Sequence, residues 1–254
     1  MDPAPDRWFH ISRPKPGAAI RLFCFPYSGA DSAVFFPWAD LLPGFVEVCP
    51  VQLPGRGRRL SEPLYDRLLP LAAAAGEAVA AACRGSFALF GHSFGAMLAF
   101  EVARWLRRRG GPMPEHLFVS GCSAPQLPEP NLPIHDLPEP EFIEQLRRLN
   151  GTPEEVLANP ELLELIIPIL RADFAVCRSY AYQHEAPLSC PISAYGGLRD
   201  SDVSRERLEA WREQTSGAFA LRMFPGDHFF VNTDRLLLLR VVSQELRLAA
   251  AGPS

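Results

Sequence analysis

The stretch Ser86-Phe-Ala-Leu-Phe-Gly-His-Ser-Phe-Gly-Ala-Met-Leu-Ala-Phe100 constrains this chain more than any other. An apolar run of strand character ends on Gly91-His92-Ser93-Phe94-Gly95, and an amphipathic helical pattern leaves it. A G-x-S-x-G pentapeptide alone is a weak signal. Set between a buried strand and a helix, it marks a reversal sharp enough to strain the backbone at its serine. Gly91 and Gly95 then stand where side chains would collide across the turn. A glycine-rich turn with an incidental serine needs none of this flanking pattern. Ser93 is therefore the candidate nucleophile, and the rest of the chain must supply its partners.

The chain in order predicts an α/β architecture. Ile20–Phe25 reads as a first strand, followed by the turn Pro26-Tyr-Ser-Gly-Ala30 and a helical stretch through Phe35, Phe36, Trp38, Leu41 and Leu42. Phe45–Val51 is a second strand, 67–83 a helix, 86–90 the strand before Ser93, and the helix after it runs to Arg107-Arg-Arg109. Strands at 117–120, 191–195 and 219–224, helices near 204–214 and 233–249, complete the alternation. Short apolar strands alternating with helices predict a mostly parallel sheet covered by helices on both faces. At 254 residues one such domain, 1–254, is expected. Residues 125–187 break the rhythm with a proline-rich opening and helical stretches at 139–149 and 153–180. Crossovers need only about a dozen residues, so this insertion is expected to be a helical lid.

A serine hydroxyl needs a base, and the base needs an orienting acid. On a fold with this elbow the chain order is Ser, Asp or Glu, then His. Of the later histidines, His135 and His184 fall in the insertion, whereas His228 lies in Pro225-Gly-Asp-His-Phe-Phe230, directly after the last strand. His228 is the expected base. The acid should follow the penultimate strand, where Tyr195-Gly-Gly-Leu-Arg-Asp-Ser-Asp-Val203 offers Asp200 and Asp202. Asp200 comes first in the turn; Asp202 is the alternative, or a cap for the helix beginning near Ser204. Asp227 is a poorer candidate because a sequence neighbour rarely faces the ring. An oxyanion hole needs two backbone N–H groups. Phe94, after the nucleophile, would supply one, and Tyr27, with Ser28 as its neighbour, the other. Phe35, Phe36 and Phe94 are candidates for an acyl pocket, although aromatics at helical spacing also describe plain core.

Composition excludes other classes. A net charge of −4 gives no reason to expect nucleic acid or an anionic membrane as partner, and no apolar stretch is long enough to span a bilayer. With no leader-like start, a cytoplasmic protein is expected. The six cysteines (24, 49, 83, 122, 177 and 190) form no C-x-x-C pair, and neither they nor the six histidines show metal-ligand spacing. Reduced thiols and no metal are expected.

Phe25-Pro-Tyr-Ser-Gly29, Gln52-Leu-Pro-Gly-Arg-Gly57 with Glu62-Pro63, Leu89-Phe-Gly-His-Ser93, the Gly-Gly-x-x-Asp ending on Asp200, and Gly226-Asp-His-Phe-Phe230 together resemble the type II thioesterases. The resemblance runs from about residue 20 to 245 and includes a lid-like segment, Pro160 to Asp173. Ala30 stands where the pattern usually has glycine, and Arg199 precedes the acid. The resemblance implies an α/β-hydrolase that frees carrier proteins of polyketide and nonribosomal peptide synthases from stalled acyl groups. Its substrate, an acyl thioester, would bring its own phosphopantetheine, so no cofactor is expected. Acyl or peptidyl carrier proteins and small acyl thioesters are the implied partners. Carrier proteins are acidic, so Arg56, Arg58 and Arg59, or Arg104 and Arg107–Arg109, are candidates for steering them, while arginines at a helix C-terminus are also ordinary. The alternatives are a small-molecule ester hydrolase on the same fold and a non-catalytic binding protein.

Overall fold

Six short strands form one sheet, and their register explains why both faces of each strand are apolar. The computed structural model describes residues 7–128 and 134–250; residues 129–133, within the predicted opening of the insertion, lie outside it. In chain order the elements are β1 (Ile20–Phe25), a 3₁₀ turn (Ser32–Phe35), α1 (Trp38–Leu41), β2 (Val46–Pro50), α2 (Leu68–Ala82), β3 (Phe87–His92) and α3 (Phe94–Arg108). There follow β4 (His116–Ser120), α4 (Glu139–Leu149), α5 (Glu154–Leu157), α6 (Pro160–Ser179), β5 (Ile192–Gly197), α7 (Arg205–Glu209), β6 (Phe219–Phe224), α8 (Phe230–Thr233) and α9 (Arg235–Ala250). The sheet order is β2-β1-β3-β4-β5-β6, and every neighbouring pair is parallel.

Alternate residues of each strand feed two separate cores. Phe23, Phe25, Phe87, Leu89, Leu117 and Val119 pack with α2 and α3 on one face. Leu22, Cys24, Ala88, Phe90 and Phe118 pack with α1 and α9 on the other. A strand buried on both sides reads as a continuous apolar run, which is why these segments showed no polar alternation. The sheet order reverses between β1 and β3: the chain goes outward to β2, then returns to build away from β1. In open parallel sheets the crevice at the carboxyl ends of the strands flanking such a reversal is where ligands bind. Here those ends carry the Tyr27 turn and Ser93.

The insertion departs from its predicted form in one place. The expected helix over 153–180 is two helices, because Asn159 caps a new start: its side-chain oxygen accepts the Glu161 and Leu162 amides at 3.0 and 3.2 Å, with Pro160 in the first turn. Helices α4 to α6 have a small core of their own, built on Phe142, Leu146, Leu157, Ile167 and Leu170. Similarly, the helix expected over 204–214 is α7 followed by a 3₁₀ segment, Ala210–Gln214, and the closing helix is preceded by the short α8. None of the six cysteines is in a disulfide. No helix among the described residues is long and apolar enough to cross a membrane.

The arginines of α3 are structural. Arg104 is buried and pairs with Glu101 and Glu185 at 2.6 and 2.7 Å; Arg107 and Arg108 also reach Glu185. Glu101 accepts a 2.8 Å bond from the Tyr180 hydroxyl as well. This network ties the strap leaving α6 back to α3. Of the seven arginines named as docking candidates, only Arg58 and Arg109 make no ion pair among the described residues. The charge behind the docking expectation is largely neutralised inside the molecule.

On the opposite face, His116 donates from Nε2 to Ser193 Oγ at 2.9 Å, Ser193 donates to Glu245, and the His116 ring stacks on Phe118 at 4.3 Å. Burial pushes the His116 pKa down to about 4, although Glu245 pulls it upward. The folded pKa lies below the unfolded value near 6.5, so between these limits the unfolded chain binds more protons. Stability is therefore complete above about pH 6.5 and declines as pH falls towards 4, by on the order of 3 kcal/mol from this group. His116→Gln is expected to flatten that part of the acid limb in urea melts between pH 7 and 4.5. An unchanged slope would refute it.

Candidate active site

The elbow forms as the sequence implied. Ser93 sits at φ 54° and ψ −121°, one of two non-glycine residues with positive φ among those described. The other, Asn150, is a left-handed cap of α4. A serine in this region is strained, and the surroundings must hold it there. The Ser93 amide donates to Ser120 O at 2.7 Å, pinning the turn to the end of β4. A Cβ on Gly95 would lie 2.2 Å from Phe25 O, and one on Gly91 would lie 2.0 Å from Gly95 O. Helix α3 thus starts in backbone contact with the end of β1. This close approach brings the Tyr27 turn and the Phe94 amide to the same crevice. Neither the Tyr27 nor the Phe94 N–H donates to a protein acceptor among the described residues. Ala30 has no positive φ, so the turn has no need of glycine there.

Of the two candidate acids, Asp200 is the one hydrogen-bonded to His228. Asp200 Oδ2 lies 2.8 Å from His228 Nδ1, with the carboxylate fully shielded and the ring 17% exposed. Asp200 Oδ1 accepts the amides of Asp202 and Val203 at 2.9 and 3.1 Å. Asp202 contributes its backbone to that turn, and its carboxylate makes no bond to His228. Nor does it cap the following helix, whose cap is the Ser204 hydroxyl. Asp227 turns its carboxylate to the Phe229 amide at 2.9 Å. Burial alone would raise the Asp200 pKa; the bonds from His228 and the two amides outweigh it and hold the carboxyl below the usual carboxylate range. An ionised carboxylate can only accept, so the ring proton sits on Nδ1 and Nε2 carries the lone pair.

The His228 ring stands 5.2 Å, centroid to centroid, from that of His92, the residue before the nucleophile. Ser93 Oγ makes no hydrogen bond to His228 or to any other described residue; such contacts are often long without substrate and tighten when it binds. His92 itself is fully buried, with Nδ1 2.9 Å from Ser120 Oγ. Burial, reinforced by the charge of His228, keeps its pKa well below the ordinary value. It stays neutral and leaves proton transfer to His228. Asp200, Asp202 and His228 have ligand atoms within 4.8 Å of one another, but the two Asp200 oxygens and His228 Nδ1 are already committed to hydrogen bonds.

The insertion reaches this crevice. Gly151, in the loop after α4, lies so close to Phe229 that a Cβ would fall 2.5 Å from its Cζ. Phe229 packs edge-on against Tyr27 and His228, at 5.2 and 5.1 Å. Of the aromatics considered for a pocket, Phe35 is buried against Trp38 and Phe90, Phe36 packs on His10, and Phe94, next to the nucleophile, is 3% exposed in the main core. Two buried features escaped the sequence reading. One is the Ser120 partner of His92; the other is Asp173 on α6, paired with Arg56 at 2.6 Å. Only the Gln-Leu-Pro-Gly-Arg-Gly motif hinted at Arg56.

Comparison with known proteins agrees with this geometry. A family model described as thioesterase domain matches residues 20–244. Gramicidin S biosynthesis protein GrsT of Aneurinibacillus migulanus is 42% identical over 246 residues, 97% of this chain and 96% of that protein. Among solved structures, the RedJ thioesterase from the prodiginine pathway of Streptomyces coelicolor superposes with a TM-score of 0.86 at 42% identity, covering 91% of this chain and 92% of that one. The type II thioesterase BorB from the borrelidin biosynthetic cluster gives 0.87 at 35% identity, covering 95% and 98%.

Proposed function

Because this chain belongs to the thioesterase family, we propose that Ser93, His228 and Asp200 hydrolyse acyl thioesters carried on the phosphopantetheine arm of carrier proteins. Ser93 Oγ attacks the thioester carbonyl while its proton passes to His228 Nε2. The Tyr27 and Phe94 amides hold the oxygen that becomes negative. Collapse releases the carrier thiol, which takes the proton from His228. Water then enters, gives a proton to the same nitrogen and attacks the acyl carbonyl; on collapse His228 returns that proton to Ser93 Oγ and a free acid leaves. Asp200 keeps the ring in the productive tautomer and stabilises the imidazolium. The helical insertion serves as a lid over the acyl chain. The reaction uses no cofactor of its own.

The observation that carries this reading is the shielded 2.8 Å contact of Asp200 with His228 beside a serine held at φ 54°. Carriage on a protein partner is supported by the likeness to the borrelidin-cluster type II enzyme. Intact-mass measurement of an acetyl-loaded carrier protein tests it. Incubation with this protein should remove the acyl mass and leave the phosphopantetheine arm. If the carrier stays loaded while a simple nitrophenyl ester is cleaved rapidly, the protein is an ester hydrolase of small molecules and the reading fails.

A further inference from the structure

One buried carboxylate joins three segments that the catalytic steps leave unused. Asp173 lies in the second half of α6 with a side chain 3% exposed. Its Oδ2 accepts Arg56 Nη1 at 2.6 Å and the Gly29 amide at 2.8 Å, and Oδ1 accepts Arg56 Nη2 at 2.7 Å. Arg56, from the loop after β2, is 5% exposed. Gly29 belongs to the turn after β1, closed by the Ala30 amide on Tyr27 O at 3.1 Å, with Gly29 at φ 77°. Leu170, one turn earlier on α6, covers Gly29 so closely that a Cβ there would lie 2.5 Å from Cδ2. The helix therefore holds the turn by one apolar and one charged contact, two residues from the Tyr27 amide.

We propose that Asp173 is a positioning residue that couples the seating of α6 to the oxyanion hole. With the helix docked, the carboxylate fixes the Gly29 amide and the Arg56 fork together, and the Tyr27 N–H is held where the oxyanion forms. When the helix withdraws, Arg56 loses its partner in a dry site and the turn loses its anchor. Bonds from an ionised acceptor are short and directional, and displacement of an oxyanion donor by about 1 Å is enough to cost rate heavily. The hole is complete only while the lid is seated. Catalytic competence thereby reports on lid position, which confines hydrolysis to a covered acyl group. This inference rests on the proposed roles of Ser93 and Tyr27.

The test compares Asp173→Asn, Leu170→Ala and Glu47→Gln with wild type. Glu47→Gln, which breaks the 2.7 Å ion pair with Arg21 at the start of β1, far from α6 and the turn, serves as the control for lost stability. Turnover of a soluble acyl thioester is measured together with thermal stability and the affinity of an alkyl boronic acid, whose adduct with serine places a tetrahedral oxygen in the hole. Asp173→Asn is expected to lower kcat by roughly 10- to 100-fold, less than outright loss of an oxyanion donor, with KM within about threefold. Boronate affinity should weaken in parallel. Leu170→Ala should move both in the same direction without leaving a charge unpaired, which keeps the test open if Asp173→Asn does not fold. Glu47→Gln should lose stability and keep kcat within about twofold. If folded Asp173→Asn and Leu170→Ala match the control in kcat and boronate affinity, the coupling is refuted. Should wild type itself neither turn over the thioester nor bind the boronate, the reading of Ser93 and Tyr27 falls first, and this inference with it.

Discussion

Ser93→Ala should reduce thioester turnover by on the order of 10⁴-fold or more, and Asp200→Asn by roughly a thousandfold, whereas Asp202→Asn should stay within a few-fold of wild type. The first change removes the atom that forms the acyl-enzyme. The second keeps shape and most hydrogen bonds but places an amide against His228 Nδ1 at the position now occupied by Oδ2, 2.8 Å away. An amide nitrogen there can only donate, which drives the ring proton to Nε2 and leaves no lone pair to receive the serine proton. Asp202 acts on Asp200 through its backbone amide, and asparagine keeps that amide. The measurement is kcat for an acyl thioester, with circular dichroism melts to show that all three variants fold. Equal losses for Asp200→Asn and Asp202→Asn would mean that the two carboxylates share the role.

The second large effect is on folding. Gly95→Ala places a methyl group 2.2 Å from Phe25 O and 2.6 Å from Pro26 O. Both obstacles are backbone, so no rotamer change relieves them, and α3 must move away from the end of β1. We expect a loss of about 3–5 kcal/mol or failure to fold, towards the severe end for single substitutions. Gly44→Ala is the comparison: nothing lies within 4 Å of the added Cβ and φ is ordinary there. It should change stability by less than about 0.5 kcal/mol. Urea midpoints of the two variants decide the matter, and similar values would show that the elbow tolerates a methyl group.

Local chemistry made much of this molecule legible in advance. The strands announced themselves because a parallel sheet buries both of their faces. The elbow was visible in the glycines that bracket Ser93, and chain order singled out His228 from the later histidines. Asp200 and Asp202 part company in a turn where one residue supplies a carboxylate to His228 and the other an amide to that carboxylate, a division that spacing does not carry. Pairing across long separations was likewise invisible. Arg56 finds Asp173 117 residues away, and Arg107 finds Glu185 78 residues away, so several arginines considered for docking also serve as ties within the molecule. For Phe35 the plain-core alternative fits, since helical spacing places an aromatic on a face without saying what that face meets, and here it meets Trp38 and Phe90. The break before α6 was readable after all: an asparagine followed by proline is a start signal, overridden in the reading by the apolar run around it.

The small core of α4 to α6 shares no residue with the two cores of the sheet. A change at Leu146 or Leu157 is therefore met within the insertion, while the parallel sheet that supports Ser93 and His228 keeps its packing. The molecule separates two kinds of tolerance. The elbow around Ser93 stands where even a methyl group meets backbone, whereas most of the insertion packs on a core of its own. With the insertion as the proposed lid, substitutions in its own core are expected to alter acyl preference while leaving the sheet intact, so long as Asp173 still meets Arg56 and Gly29 beneath.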